Sequence, residues 1–422
     1  MPTLKTKPEL LVLPDTGLGQ QWLGEEEQQL VQEVLKTKKL FRYSFDPERE
    51  AHLSKVANFE KEFGEKMGTK YALAVTSGTA ALEVALGALG IGAGDEVIVP
   101  AYSWTSCFTS IVRSGALPVL AEIDETLCLD PTEIRRRHTP RTKAVMVIHY
   151  QGVSADMDRI VDESNQMGIA VIEDCAEATG ATFRGKRLGS LGNIGTFSLQ
   201  NNKVITSGDG GIIVTNDPRL YERAVRMHDI GLFRPHHRQF LPEHREIPFS
   251  GGQYRMNELT GAVALAQTRK LDKLIAHIRE MGCRIRKALL EHPQNLELRK
   301  IPDPEGDIPF EAYCYLATPE LAARFGEALR ARGSYAGKKL TGTTCHYFNE
   351  YCRQVQTASN KGAPFEGNSA WPERGWSRED FPRTEELVNR SVAISIGSLF
   401  SFEHIDQVIR AIHGAHDDVF GG

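Results

Sequence analysis

From about residue 70 to 216, short apolar runs rich in β-branched residues alternate with stretches of helical period. The runs predict strands at Glu96–Pro100, Pro118–Ile123, Ala144–His149, Ile169–Asp174, Gly195–Leu199 and Gly211–Thr215. Several are apolar at every position rather than at every second one, as expected for strands covered on both faces. Helices are predicted between them at Ala80–Leu89, Trp104–Ser114 and Met157–Met167. This part therefore reads as an α/β/α layer with a mostly parallel sheet. Residues 259–291 form one long helical segment able to bridge two domains, and Pro302–Pro309 breaks the chain after it. A smaller α+β region follows, closing with a helix over Glu403–His416. The stretch 338–376, rich in Gly, Thr, Asn and aromatics, reads as loop.

Composition narrows the classes. The 422 residues carry 50 Lys+Arg against 55 Asp+Glu, a formal net charge of −5, which argues against a protein built to neutralise nucleic-acid phosphates. At about 150 residues per domain, two or three domains are expected. No apolar run approaches the roughly 18 residues of a membrane span. The opening MPTLKTKPELLVLPD mixes Pro and charge and predicts no signal peptide. Seven cysteines, widely spaced and with no C-x-x-C pair, predict neither a disulfide framework nor a zinc site. The expectation is a soluble, cytoplasmic protein with reduced thiols and no metal.

Four motifs carry chemistry. Thr76-Ser77-Gly78-Thr79-Ala80 turns a strand into an Ala-rich helix, whose free N–H groups and dipole suit a phosphate, or simply an N-cap. Val171-Ile172-Glu173-Asp174 closes a buried strand where open α/β sheets bind ligands; Asp174 pairs with a cationic heterocycle nitrogen or caps the next turn. In Thr196-Phe197-Ser198-Leu199-Gln200-Asn201-Asn202-Lys203, a single lysine follows a strand, ahead of the turn Ser207-Gly208-Asp209-Gly210-Gly211. Such a lysine is a Schiff-base former if sheltered, and otherwise a solvated side chain. Gln253-Tyr254-Arg255-Met256-Asn257-Glu258-Leu259 opens the long helix. Elsewhere, His236-His237 and Cys345-His346 lack partners at ligand spacing. Arg135–Arg137 and Arg234–Arg238 are solvated faces, or in the second case a receptor for an anionic substrate.

In this order, TSGTAAL, GDEVIVPAYSW, IEDCAEATGA, GTFSLQNNK…SGDGG and YRMNEL resemble the DegT/DnrJ/EryC1/StrS family of pyridoxal-phosphate (PLP) aminotransferases, over residues 20 to 415. KLFRYSFD, AEIDETLCLDP and PDPEGD look like the branch that includes 8-amino-3,8-dideoxy-manno-octulosonate transaminase. The lysine segment is also similar to aminocyclitol aminotransferases and aminohydroxybenzoate synthase.

The resemblance implies a fold type I PLP-dependent transferase, with an arm over 1–45, a large α/β/α domain over 46–280 and a small C-terminal α+β domain over 281–422. It implies that Lys203 forms the internal aldimine and that Asp174 keeps the ring nitrogen protonated. Gly78, Thr79 and Ser198 match phosphate ligands, and Trp104 matches the aromatic stacked on the ring. Glu177 stands where the family usually has Gln, near the cofactor's 3-oxygen; an acid there is protonated or points elsewhere. Gln253 replaces an Asn that reaches the phosphate of a neighbouring subunit, implying a homodimer with shared sites. His149 matches a residue of the active-site wall, while Arg42 and Tyr43 belong to an arm over the site, with Arg42 a carboxylate anchor. The implied activity moves an amino group from L-glutamate or L-glutamine to a keto or aldehyde carbon of a sugar-like acceptor. Sugar dehydration, an aromatising elimination and a non-catalytic regulator are the alternatives. Dehydratases of this scaffold replace the lysine that Lys203 retains.

Overall fold

The computed structural model describes residues 10–243, 246–337, 345–348, 357–358, 363–365 and 376–421. Its central sheet has seven strands. They are β1 (Tyr71–Val75), β2 (Glu96–Pro100), β3 (Leu117–Ala121), β4 (Thr142–Ile148), β5 (Ala170–Asp174), β8 (Ile194–Ser198) and β9 (Gly211–Thr215), with a hairpin of β6 (Thr182–Phe183) and β7 (Lys186–Arg187) between β5 and β8. The order is β1-β9-β8-β5-β4-β2-β3. Neighbours from β8 to β3 run parallel, and β9 alone opposes both of its neighbours. The six predicted strands are all present, two with the predicted ends and four with ends shifted by up to two residues. Pro118 falls in β3, the edge strand, where a missing N–H costs no ladder bond.

Helices cover both faces. Gly78–Leu89 is apolar nearly all round, because it packs between the sheet and its helical neighbours. The long helix runs from Glu258 to Leu290, about 50 Å at 1.5 Å per residue. Asn257 starts it by accepting the Thr260 N–H. Ala262, Leu265, Leu271 and Ile278 join the large core, whereas Met281, Ile285 and Leu289 join a second core. That second core lies under an antiparallel sheet in the order β10-β11-β13-β12, built from β10 (Glu297–Leu298), β11 (Glu311–Tyr315), β12 (Ala336–Gly337) and β13 (Ser391–Ser395). The closing helix, Phe402–Phe420, runs four residues beyond its predicted end.

The N-terminal segment is stitched to both parts. Leu13 enters the second core, and the Ser398 hydroxyl donates to the Gly17 and Leu18 carbonyls. Its helix Glu25–Thr37 packs along the long helix, with Lys270 paired to the buried Glu27. No helix among the described residues is long and apolar enough to cross a membrane. Most of the predicted loop 338–376, Cys352 included, lies outside the described residues.

Candidate active site

At the carboxyl ends of the parallel strands, a cavity of about 780 Å³ opens between the seven-stranded sheet, the small sheet and the N-terminal segment. Asp174, the last residue of β5, reaches it while being only 7% exposed. The Ala176 N–H donates to Asp174 Oδ1 at 2.9 Å, and the Cys107 thiol donates to Oδ2 at 3.2 Å. Burial pushes this carboxyl above its ordinary range. Lys203 lies in the turn beyond β8, its backbone N–H donating to the Gln200 carbonyl and its own carbonyl accepting from Gly19. Lys203 Nζ stands 3.7 Å from Glu177 Oε1. Glu177 therefore points into the site rather than away from it, with Oε2 accepting the Gln151 N–H at 3.3 Å.

The phosphate side is equally local. Ser77 caps the helix Gly78–Leu89 by accepting the Ala80 N–H at 3.0 Å, leaving the first N–H groups facing the cavity. A Cβ on Gly78 would come within 2.7 Å of the Ser198 Cβ, so only glycine leaves room between helix and strand end. Thr79 and Ser106 hydroxyls share a hydrogen bond at 2.8 Å beside them. Trp104, 52% exposed, forms an aromatic wall of the cavity.

Three expected residues stand elsewhere. His149 is fully buried and away from the cavity lining. Its Nδ1 accepts the Ala155 N–H, so Nε2 carries the proton and donates to Glu173 at 3.1 Å. Strand alternation turns Glu173 to the face opposite Asp174, where it also accepts the N–H groups of Gly189, Leu191 and Gly192. Cys175 completes a close trio with these two, but those donors already occupy the carboxylate. Arg42 is no carboxylate anchor in this chain: at 3% exposure it forks both oxygens of buried Glu60, at 2.7 and 2.8 Å, and donates to the Ala74 carbonyl. Tyr43 also lies off the cavity, its hydroxyl held between His228 Nε2 at 3.1 Å and His237 Nε2 at 2.7 Å.

The remaining candidates are structural or outward-facing. Arg234 pairs with Asp229 at 2.8 Å, and His346 Nε2 meets the Ser103 hydroxyl at 2.8 Å. Gln253 is exposed and outside this cavity's lining, bridged to Asp229. The lining also holds residues that no motif singled out: Asp15, Gln151, Glu311 and Ser395. Their types are generic, and only the fold brings them beside Lys203.

The set fits PLP. A sheltered amine, a buried carboxylate, a glycine-cleared helix N-terminus beside a serine, and a tryptophan face surround one space of suitable size. The comparisons agree. Over 222 residues the chain is 42% identical to GDP-perosamine synthase of Caulobacter vibrioides, covering 52% of this chain and 58% of that protein. Over 221 residues it is 40% identical to L-glutamine:2-deoxy-scyllo-inosose aminotransferase of Streptoalloteichus tenebrarius, covering 51% of this chain and 52% of that one. These matches thus span little more than half of each relative. An aminotransferase structure from Psychrobacter cryohalolentis superposes with a TM-score of 0.78 at 25% identity, covering 94% of this chain and 98% of that one. The family model itself matches residues 21–413, so the chain belongs to the DegT/DnrJ/EryC1/StrS aminotransferase family.

Proposed function

We propose that this protein is a PLP-dependent aminotransferase that moves an amino group from L-glutamate or L-glutamine to a keto or aldehyde carbon of a sugar-like acceptor. The observation that carries this reading is the convergence of Lys203, Asp174 and the Gly78 helix N-terminus on one cavity. PLP supplies a carbonyl that takes up the amine and a ring that accepts electrons as the donor's α-carbon loses its proton. Lys203 would tether the cofactor through its Nζ, and the same amine is placed to take and return the proton of the donor's α-carbon. Asp174 would hold a proton on the ring nitrogen. Burial and the Cys107 thiol keep its carboxylate oriented for that contact. Gly78, Thr79 and Ser198 would receive the phosphate, and Trp104 would cover the ring.

Gln253 supports a homodimer with shared sites: it is exposed outside its own cavity's lining, on a segment bridged to Asp229 next to the exposed apolar Ile230. The octulosonate-type branch rests on KLFRYSFD, AEIDETLCLDP and PDPEGD, and on nothing in the cavity lining.

An absorption spectrum of the PLP-loaded protein tests the reading. L-Glutamate or L-glutamine is expected to convert the lysine-linked band to a pyridoxamine spectrum, and Lys203→Ala is expected to lose that band. Protein that binds no PLP, or whose band neither donor discharges, would refute it.

A further inference from the structure

Of the non-glycine residues with positive φ among the described residues, Gln151 alone lines the cavity. It lies just beyond the carboxyl end of β4 and takes φ 48° and ψ 55°. A Cβ is crowded against the backbone in this left-handed region, so glycine is its ordinary occupant.

The turn is held from both sides. The Gln151 N–H donates to Glu177 Oε2 at 3.3 Å, and the Gly152 N–H donates to the Glu177 carbonyl at 2.8 Å. Opposite, the Gly152 carbonyl accepts the Ile308 N–H at 2.9 Å, and a Cβ on Gly152 would collide with the Ile308 carbonyl. Space therefore confines position 152 to glycine, whereas position 151 carries a glutamine against the preference of its backbone. Strain kept at a cavity wall marks a residue retained for what its side chain does.

That side chain is uncommitted: among the described residues its carboxamide makes no hydrogen bond, and only the backbone N–H is engaged. It also stands close to the chemistry, since the Glu177 that holds its backbone places Oε1 at 3.7 Å from Lys203 Nζ. A carboxamide offers two N–H donors and an acceptor oxygen and carries no charge. It therefore answers a hydroxyl, which both gives and takes a hydrogen bond. A carboxylate is better met by a guanidinium or an ammonium. The amide thus fits a polyhydroxylated acceptor more closely than an amino-acid donor.

We propose that Gln151 is a specificity-determining residue of the acceptor half-reaction, its carboxamide hydrogen-bonding a hydroxyl of a polyhydroxylated carbonyl compound. This rests on the aminotransferase reading above.

The holoenzyme, wild type and variants, is converted to its pyridoxamine form and mixed with 2-deoxy-scyllo-inosose, GDP-4-keto-6-deoxymannose or cyclohexanone, a ring ketone without hydroxyls. Return of the PLP band gives kcat/KM for each probe. The wild type is expected to favour a hydroxylated probe over cyclohexanone. Gln151→Ala is expected to lower kcat/KM for that probe by about 3- to 10-fold, the loss for one neutral hydrogen bond, with no change for cyclohexanone. The loss belongs to the acceptor half, so discharge of the PLP band by L-glutamate or L-glutamine should keep its rate. Gln151→Gly should lower the acceptor kcat/KM likewise while raising the thermal midpoint, because glycine relieves the turn. A role in packing alone would not give that pair of opposite changes.

Wild-type acceptor rates in a folded Gln151→Ala overturn the proposal. An equal loss for cyclohexanone, a loss confined to the donor half, or a Gln151→Gly midpoint below the wild type does the same. So does a wild type whose pyridoxamine form neither hydroxylated probe discharges; each of these sinks this proposal alone. If no amino donor yields the pyridoxamine form at all, the aminotransferase reading fails and the proposal falls with it.

Discussion

Adjacent residues of β5 have opposite roles. Asp174 reaches the cavity with its carboxyl raised by burial, while Glu173 is spent on three backbone N–H groups and His149. The period of the strand decides which is which. The motifs around Lys203, Asp174, Gly78 and Ser198 were legible because their geometry is local: each sits on a strand end or a helix start. Arg42 was misread because nothing nearby in sequence names its partner, Glu60, one helix away. Arg42→Met is expected to destabilise the fold by about 3–5 kcal/mol, because it leaves Glu60 buried without its cation. The urea midpoint reads this. A substrate anchor would instead raise KM for the amino donor with little change in that midpoint.

At the scale of elements, apolar continuity located the six strands, since a strand covered on both faces has no polar alternation to disguise it. The helix Glu25–Thr37 carried a weaker signal. Its buried stripe is narrow, Glu27, Leu30 and Val34, and it is stabilised by docking on the long helix. That long helix carries its own constraint at Gly282, where a Cβ would collide with the Pro309 carbonyl at the junction of the two cores. Helix propensity alone favours Gly282→Ala by about 1 kcal/mol. The collision reverses the sign, so this variant is expected to melt below the wild type. A raised melting temperature would show that the helix and the Pro309 segment can separate without loss.

Across the whole molecule, buried imidazoles link stability to pH. Burial, reinforced for the first two by the Arg42 charge, lowers His228 to about 3 and His236 to about 4; burial lowers His346 to about 3. Folded, these rings stay neutral while the unfolded chain protonates below about pH 6.5. The unfolded state therefore binds more protons, and stability falls as pH drops from about 6.5 toward the folded values. His228→Asn is expected to remove a slope approaching about 1.4 kcal/mol per pH unit between pH 6 and 5. Urea unfolding at a series of pH values checks this, and equal slopes in both proteins would contradict it.

The sequence by itself determined the layered α/β architecture, the order of its strands along the chain and the short motifs that bring Gly78, Asp174, Ser198 and Lys203 to one cavity. Those depend on short-range periodicity and on motifs confined to single turns. Tertiary structure alone decided that β9 reverses, that the N-terminal segment crosses to the second core, and that Glu177 faces Lys203. It also decided that Glu311, more than a hundred residues beyond the lysine, shares its cavity. Which side chains face one another across that space follows from the packing of two cores along a single long helix, which the local spacing of residues does not encode.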